Sequence, residues 1–290
     1  MEWAAYGIIK QRLMGRKLLI WGTGSNAYNL SKFVSKIAPI EFYISRDAAI
    51  QPTFLNKSVY DFSQITLDSK EHFVLILAEA RYKEIRTTLS DLGFVEYVDY
   101  YDYFQKGTHL PIDVSVDNVT IGRFSFHPFS ISRLRKNVVS IGRYCSINGS
   151  VLINYNHPTN MITTSSRIQT LYDNEYNELY IKQRNSYNKT GNLKVKIGND
   201  VWVGANTFIN TSKCTRIGDG AVIGTGAIVM EDIPPYAIAY GAPAKVHRYR
   251  FSPEQIEILL RLRWWDWDSE TIKQNAEALI YPERFFEKFG

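Results

Sequence analysis

The sequence has 290 residues, 45% of them hydrophobic and 22% charged, which predicts one large domain or two ordinary ones and argues against wholesale disorder. Its formal net charge of +5 is dispersed along the chain, so nucleic acid is not an expected partner. With two cysteines, no signal-peptide pattern and no apolar stretch long enough to span a bilayer, we expect a cytoplasmic protein without membrane insertion.

Residues 1–110 alternate short apolar runs with helical patterns. The predicted strands are 18–21, 41–44, 73–77 and 95–98, and the predicted helices are 26–36 and 81–92. Strands that alternate with helices usually build a parallel sheet, so we expect a small α/β domain here. The segment Gly22-Thr23-Gly24-Ser25-Asn26 follows the first strand and opens a helix, which is the context of a phosphate-binding turn.

Residues 111–250 contain a repeat in which aliphatic residues recur every six positions, often followed by glycine. These residues are Ile141, Ile147, Ile153, Ile197, Val203, Ile209, Ile217, Ile223 and Val229. A period of six fits a chain that makes a short strand, turns a corner and repeats, so three hexads would close one triangular coil. We expect the coils to stack about 4.8 Å apart as a parallel β-helix, with glycine permitting the tight corners.

Residues 251–290 no longer follow the repeat and are expected to form a helical cap on the last coil. One helix opens at Ser252-Pro253, with serine as N-cap, and another runs from Asp268 or Ser269 to about Leu279. We interpret the tryptophans between 264 and 267 as packing within this cap. A functional aromatic platform is the alternative.

Five motifs resemble the hexapeptide-repeat acyltransferases, whose fold is a left-handed β-helix. They are 197–205 (IGNDVWVGA), 217–224 (IGDGAVIG), 241–246 (GAPAKV), 261–267 (RLRWWDW) and 156–159 (NHPT). Within that family the sequence is most similar to the xenobiotic branch, which includes chloramphenicol acetyltransferases. The resemblance implies a homotrimer with acetyl-CoA in a groove between adjacent β-helices. It also puts His157, with its neighbour Asn156, at the catalytic position.

His157 begins a long polar insertion at 156–194, and long insertions in compact scaffolds are often functional. Acetyl transfer from a thioester needs a base of near-neutral pKa, for which imidazole is suited. Backbone N–H groups at a glycine-rich corner can stabilise the oxyanion, so no metal is required. A covalent route through Cys145 or Cys214 is disfavoured, because neither cysteine is coupled in sequence to a histidine.

The resemblance further implies which residues would bind acetyl-CoA. The groove would be lined by Trp202, Gly204, Ala205, Gly224, Thr225 and Gly226, and the phosphates would be held by Lys245, Arg248 and Arg250. Trp202 could equally be a plain corner residue. The basic residues could equally form a solvated tail.

The domain at 1–110 resembles the Rossmann-like domain that precedes the β-helix in nucleotide-sugar acetyltransferases of bacterial glycan pathways. That resemblance implies that Gly22, Gly24, Ser25 and Asn26 contact the nucleotide of the acceptor. A purely structural domain is the alternative.

Taken together, these features predict an acetyl-CoA-dependent acetyltransferase that acts on a hydroxyl or amino group of a sugar. The sugar would be nucleotide-linked or a surface-polysaccharide precursor. The first alternative is an antibiotic acetyltransferase of the chloramphenicol or streptogramin type, a task for which residues 1–110 are not needed. The second alternative is a non-catalytic trimeric scaffold.

Overall fold

The computed structural model describes residues 2–78, 81–103, 110–126, 131–154, 161–162, 178–179, 182 and 194–290. The chain divides into two compact units, Met1–Asn118 and Val119–Gly290. The boundary lies somewhat after residue 110, where the sequence placed it, and the predicted cap at 251–290 falls within the second unit. Among the described residues, no helix has both the length and the hydrophobicity needed to cross a bilayer.

The first unit is an α/β structure. Its elements are α1 (Glu2–Arg12), β1 (Lys17–Trp21), α2 (Ser25–Val34), β2 (Ile40–Ile44), β3 (Thr53–Phe54), β4 (Lys57–Tyr60), β5 (His72–Ile76), α3 (Tyr82–Asp91), β6 (Tyr100–Asp102) and β7 (Val114–Val116). The sheet order is β3-β4-β2-β1-β5-β6, and all neighbours are parallel except β3 and β4. Every residue of β5 is buried, because parallel strands are usually covered on both faces.

The predicted strand at 95–98 is wrong, and the strand lies at Tyr100–Asp102 instead. Val95 and Val98 are 55% and 42% exposed, so their side chains do not belong to the core. The Asp99 carboxylate accepts hydrogen bonds from the Val95 backbone N–H at 2.8 Å and from Arg16 at 2.7 Å. These contacts fold residues 95–99 into a turn, which shifts the strand towards the C-terminus.

The second unit contains three sheets in which the strands of the coil run parallel, and successive strands of the chain belong to each sheet in turn. Its first elements are β8 (Val119–Ile121), α4 (Ile131–Asn137), β9 (Val138–Ile141), β10 (Ser146–Ile147), β11 (Leu152–Asn154), β12 (Val195–Ile197), β13 (Trp202–Val203), β14 (Phe208–Asn210), β15 (Arg216–Ile217), β16 (Val222–Ile223) and β17 (Ile228–Val229). Strands β9, β12 and β15 lie side by side, as do β10, β13 and β16, and likewise β11, β14 and β17. The six-residue period therefore builds a three-sided parallel coil.

The coil interior is filled by the predicted aliphatic residues. Ile141 is in register with Ile197, which is in register with Ile217, and the other two sheets repeat this alignment. All nine predicted inward residues are at most 2% exposed. At Gly142 a Cβ atom would lie 2.3 Å from the Gly198 carbonyl oxygen, so only glycine allows the coils to approach this closely.

The coil ends in an antiparallel hairpin and a helical cap. These elements are β18 (Ala237–Gly241), β19 (Ala244–Tyr249), α5 (Pro253–Leu262), α6 (Ser269–Gln274), α7 (Ala276–Ile280) and α8 (Pro282–Phe289). Ser252 caps α5 as predicted, in a capping box with Gln255. The predicted helix to Leu279 is in fact two helices that meet at Asn275.

Trp265 is fully buried in the apolar cluster of the cap, together with Tyr236, Leu259 and Phe285. The arrangement agrees with the interpretation of the tryptophan run as packing. It also explains why the coil can end here, since the last coil is covered by an apolar layer.

Candidate active site

The predicted catalytic pair, Asn156 and His157, lies outside the described residues, as does most of the insertion. What the structure describes is the strand that precedes this pair in the chain. Strand β11 ends at Asn154, which is in register with Asn210 of the next coil. His157 therefore follows the first full turn of the coil by three residues.

The predicted cofactor residues form a row along one corner of the coil. A Cβ atom on Gly204 would lie 2.6 Å from the backbone nitrogen of Thr225, one coil further on. A Cβ atom on Gly224 would lie 2.7 Å from the Cβ of Tyr240 on the coil after that. Because these glycines lack side chains, the corner is a narrow, backbone-lined row parallel to the coil axis.

Some backbone N–H groups in this row hold the coils together, and others are free. Gly204, Gly224 and Gly226 donate to carbonyl oxygens of adjoining coils at 2.8 or 2.9 Å. The N–H groups of Ala205 and Thr225 donate to no protein acceptor among the described residues. Each of these two coils therefore offers one backbone N–H group to a ligand. An extended ligand with amide carbonyl groups would accept hydrogen bonds from both.

Trp202 lies on the outer face of the same sheet, close to this row. It is in register with Ser146 and Val222, and its side chain is 44% exposed. The structure therefore excludes a core role for Trp202. Its indole is available as an apolar wall beside the backbone donors.

The predicted phosphate ligands differ from one another in their surroundings. Lys245 makes an exposed ion pair with Glu231 at 3.0 Å, which solvent screens strongly, and Arg248 is exposed. Both side chains could reach a bound anion.

The guanidinium of Arg250, a predicted phosphate ligand, makes its contacts within the second unit. Its Nη1 donates to the Asp200 carboxylate at 2.9 Å and to the Gly220 carbonyl at 2.8 Å. Its guanidinium lies 5.4 Å from the ring centroids of both Tyr236 and Phe251. Burial raises the pKa of Asp200, and the neighbouring Arg250 opposes this rise. Arg250 therefore joins the coil to the cap.

Both cysteines are buried and unsuited to nucleophilic catalysis. Burial raises the pKa of both thiols, Cys145 and Cys214, to about 12. The Cys145 thiol donates to the Gly198 carbonyl at 3.0 Å. Because the thiolate is the reactive form, neither side chain would attack a thioester near neutral pH.

The first unit contains a cavity of about 730 Å³ at the carboxyl ends of its parallel strands. Gly22, Gly24 and Ser25 line it, and Asn26 lies in the first turn of α2. No side chain caps α2 at Gly24, so the N-terminus of the helix opens towards the cavity. A Cβ atom on Gly22 would lie 2.8 Å from the Ala78 backbone nitrogen, which explains the glycine there.

The charged and aromatic residues of this cavity were not predicted from the sequence. Arg46 and Arg81 both pair with Glu84 at 2.5 Å, and the hydrogen bond from Arg81 lowers the pKa of Glu84. Trp21 and Phe62 stack with their ring centroids 4.9 Å apart. Arg46 follows β2 by two residues, so its position after a predicted strand could have identified it.

The family to which this chain belongs follows from its similarity to known proteins. The chain is 33% identical over 196 residues to a chloramphenicol acetyltransferase of Escherichia coli, and the match covers 61% of this chain and 91% of that protein. The chain belongs to this hexapeptide-repeat acetyltransferase family. No family model matches the chain.

Two further proteins resemble this acetyltransferase. The galactoside O-acetyltransferase of Escherichia coli K12 is 29% identical over 171 residues, covering 59% of this chain and 67% of that protein. A solved structure of a galactoside acetyltransferase in complex with coenzyme A is 28% identical, with a TM-score of 0.26, and covers 39% of this chain and 50% of that one.

This acetyltransferase is therefore an acyl-transferring enzyme. In the part of the chain that the structure describes, no group of three His, Cys, Asp or Glu side chains could hold a metal ion.

Proposed function

We propose that this acetyltransferase transfers the acetyl group directly to a hydroxyl or amino group of a small acceptor, with His157 as general base. The observation that carries the proposal is the 33% sequence identity to a chloramphenicol acetyltransferase, in a match that covers 91% of that protein. The two buried, high-pKa cysteines support direct attack over a covalent acetyl-enzyme.

The proposed reaction needs one proton acceptor and one set of oxyanion donors. The His157 imidazole takes the proton from the acceptor as its oxygen or nitrogen attacks the thioester carbonyl carbon. The carbon–sulfur bond then breaks, and the departing thiolate of CoA receives the proton. Asn156 belongs to the same motif and is proposed as a member of the catalytic pair.

We further propose that the coil is a left-handed β-helix and that three copies form a trimer, with acetyl-CoA in the groove between neighbouring coils. The free N–H groups of Ala205 and Thr225 support this position for the pantetheine amides. The exposed Trp202 would wall the groove, and Lys245 and Arg248 would bind phosphate groups.

The relatives favour an antibiotic acceptor, which is the first alternative predicted from the sequence. Their name specifies chloramphenicol, a compound that carries free hydroxyl groups. We therefore propose chloramphenicol-type alcohols as the first acceptor class to test.

The other acceptor class is a sugar that is nucleotide-linked or a surface-polysaccharide precursor. The cavity in the first unit is the observation that favours a nucleotide-linked sugar. It combines an open helix N-terminus and two arginines, which suit the phosphates of a nucleoside diphosphate, with a stacked aromatic pair, which suits its base. The Rossmann-like character of this unit, and a nucleotide-binding role for Gly22, Gly24, Ser25 and Asn26, are proposed on the same ground.

The test measures CoA release from acetyl-CoA with chloramphenicol, neutral sugars and nucleotide amino-sugars as acceptors. An Arg46→Ala variant distinguishes the classes, with Lys57→Ala, an exposed residue of β4, as the matched control. If the acceptor carries a nucleotide, Arg46→Ala raises its KM and Lys57→Ala does not. An unchanged KM in Arg46→Ala, together with turnover of chloramphenicol, would support the antibiotic class. No CoA release above the hydrolysis background with any of these acceptors would contradict both proposed acceptor classes.

A further inference from the structure

The second unit contains a cavity of about 180 Å³ that residues of both the coil and the cap line. The coil contributes Asp200 and Tyr236, and the chain directly after β19 contributes Arg250 and Phe251. The helices of the cap contribute an apolar wall, which includes Leu259, Ala278, Leu279, Phe285 and Phe286. None of these residues has a part in the proposed acetyl transfer.

The apolar part of the cavity contains aromatic rings in edge-to-face contact. The ring centroids of Phe251 and Phe286 are 5.7 Å apart at an interplanar angle of 70°, and those of Phe285 and Phe286 are 5.5 Å apart at 78°. A further aromatic ring can join such an arrangement favourably. A sugar would instead lose the hydrogen bonds that its hydroxyl groups make with water, because these walls offer none in return.

One ion pair supplies the charged groups of the cavity. Nη1 of Arg250 donates to Oδ2 of Asp200 at 2.9 Å, and the two side chains remain 29% and 26% exposed. Nη1 also donates to the Gly220 carbonyl, so within the described residues Nη2 and Nε of Arg250 and Oδ1 of Asp200 are left for other partners. Because the two charges balance, the pair favours a neutral group that both donates and accepts a hydrogen bond. Burial raises the pKa of Asp200, so a further donor at Oδ1 would stabilise its carboxylate.

The volume of the cavity limits the ligand to a single ring. An apolar cavity of about 150 Å³ in another protein holds one benzene molecule, whereas pockets for drug-sized ligands begin at about 300 Å³. At about 180 Å³ the cavity has room for one ring with a small substituent and is too small for a nucleotide.

We infer that this cavity binds a small neutral phenol, with its ring beside the phenylalanines and its hydroxyl group at the Asp200–Arg250 pair. The ligand contacts the coil and the cap at once, since the cavity is lined from both. A ligand that binds only the folded state stabilises it, so the phenol stabilises the second unit.

The experiment uses 4-fluorophenol as the probe and measures its binding by fluorine NMR, without acetyl donor or acceptor. We expect a dissociation constant on the order of 1 mM, as for other ligands with so few atoms. Ala278→Phe places a ring in the cavity and should weaken binding about tenfold or more. Ile280→Phe, the matched control, adds the same ring to a position of the same helix that is 69% exposed, and it should bind the probe like the wild type. If Ala278→Phe does not fold, Ala278→Val narrows the cavity less and should give a smaller loss.

A second arm tests the polar end of the cavity with toluene, in which a methyl group replaces the hydroxyl group. Toluene affinity is measured by competition with the probe, at a temperature at which every variant is folded. Arg250→Met should lower the affinity for the phenol about tenfold, the size expected for one lost hydrogen bond to a charged group, and leave that for toluene unchanged.

Three results would overturn the phenol site. They are no saturable change in the fluorine signal of the probe, equal binding of the probe to Ala278→Phe and the wild type, or equal losses for phenol and toluene in Arg250→Met. The first result would mean that the cavity holds only water. The second would place the probe elsewhere on the protein, and the third would mean that the ion pair does not contact the hydroxyl group.

Discussion

Replacing Arg250 with methionine should destabilise the second unit while leaving acetyl-CoA binding nearly intact. Methionine keeps much of the apolar stem but removes the guanidinium. The change leaves the Asp200 carboxylate without the donor at 2.9 Å and the Gly220 carbonyl without the donor at 2.8 Å. Both contacts tie Arg250, at the start of the cap, to the coil.

The size of the effect follows from these contacts. Hydrogen bonds to charged groups contribute about 1.5–3 kcal/mol each, and the pair is partly exposed, so we take the lower end for the ion pair and less for the carbonyl. The expected loss is about 2 kcal/mol, which corresponds to a fall of about 4–8 °C in the Tm of a unit of this size.

The pH dependence of this loss has a definite sign. Burial already raises the pKa of Asp200, and removing Arg250 would raise it further. A carboxyl group with a raised folded-state pKa favours folding most at low pH, and this contribution disappears as pH rises through that pKa. The deficit of Arg250→Met should therefore be largest near neutral pH and shrink on acidification.

Thermal unfolding at several pH values and KM for acetyl-CoA check this prediction, with Arg248→Met as the matched control. Arg248 is exposed near the end of β19, two residues before Arg250, so its variant should keep the wild-type Tm and raise KM. The reverse pattern, a raised KM and unchanged Tm in Arg250→Met, would refute the reasoning and return Arg250 to the phosphate site.

Two other predictions concern the coil, and a third concerns its cysteines. Ile223→Ala should cost about 2–4 kcal/mol in urea unfolding, because Ile223 is fully buried; a loss under about 1 kcal/mol would mean that the interior is loosely packed. Gly142→Ala should lower the Tm clearly, since its Cβ would lie 2.3 Å from a carbonyl oxygen, whereas Gly149→Ala, with nothing within 4 Å, should not. Cys145→Ala and Cys214→Ala should retain turnover, and both thiols should react slowly with a disulfide reagent in the native protein; loss of turnover at wild-type stability would revive the covalent route.

The coil was predictable because its constraint repeats at every sixth residue. Ile141, Ile197 and Ile217 lie one above the other, and a single pattern determines all three positions. Their burial follows from the period alone, without knowledge of which residues are neighbours in space.

Other features depended on contacts between distant parts of the sequence. The strand after α3 moved because Arg16 holds Asp99, a contact across 83 positions. Arg250 resembled its basic neighbours in sequence, and only the position of Asp200 distinguishes it. In the β18–β19 hairpin, a β-bulge stacks the imidazole of His247 on the ring of Tyr240, and this bulge depends on a register shift that no periodicity in the sequence reveals.

The site was predictable only in part for the same reason. The glycines of the corner row were found as motif residues, but the free donors at Ala205 and Thr225 emerge only once the coil-to-coil hydrogen bonds are assigned. In the first unit the glycine-rich turn was identified, while Arg46 and Arg81 reach Glu84 from segments that follow two different strands.

The most direct test of the account is the turnover of His157→Ala with an acceptor that the wild type acetylates, measured beside its affinity for CoA. Loss of a general base should lower kcat by about 10²-fold or more, and CoA should bind as in the wild type. Wild-type turnover in this variant would contradict the central claim that His157 takes the proton from the acceptor.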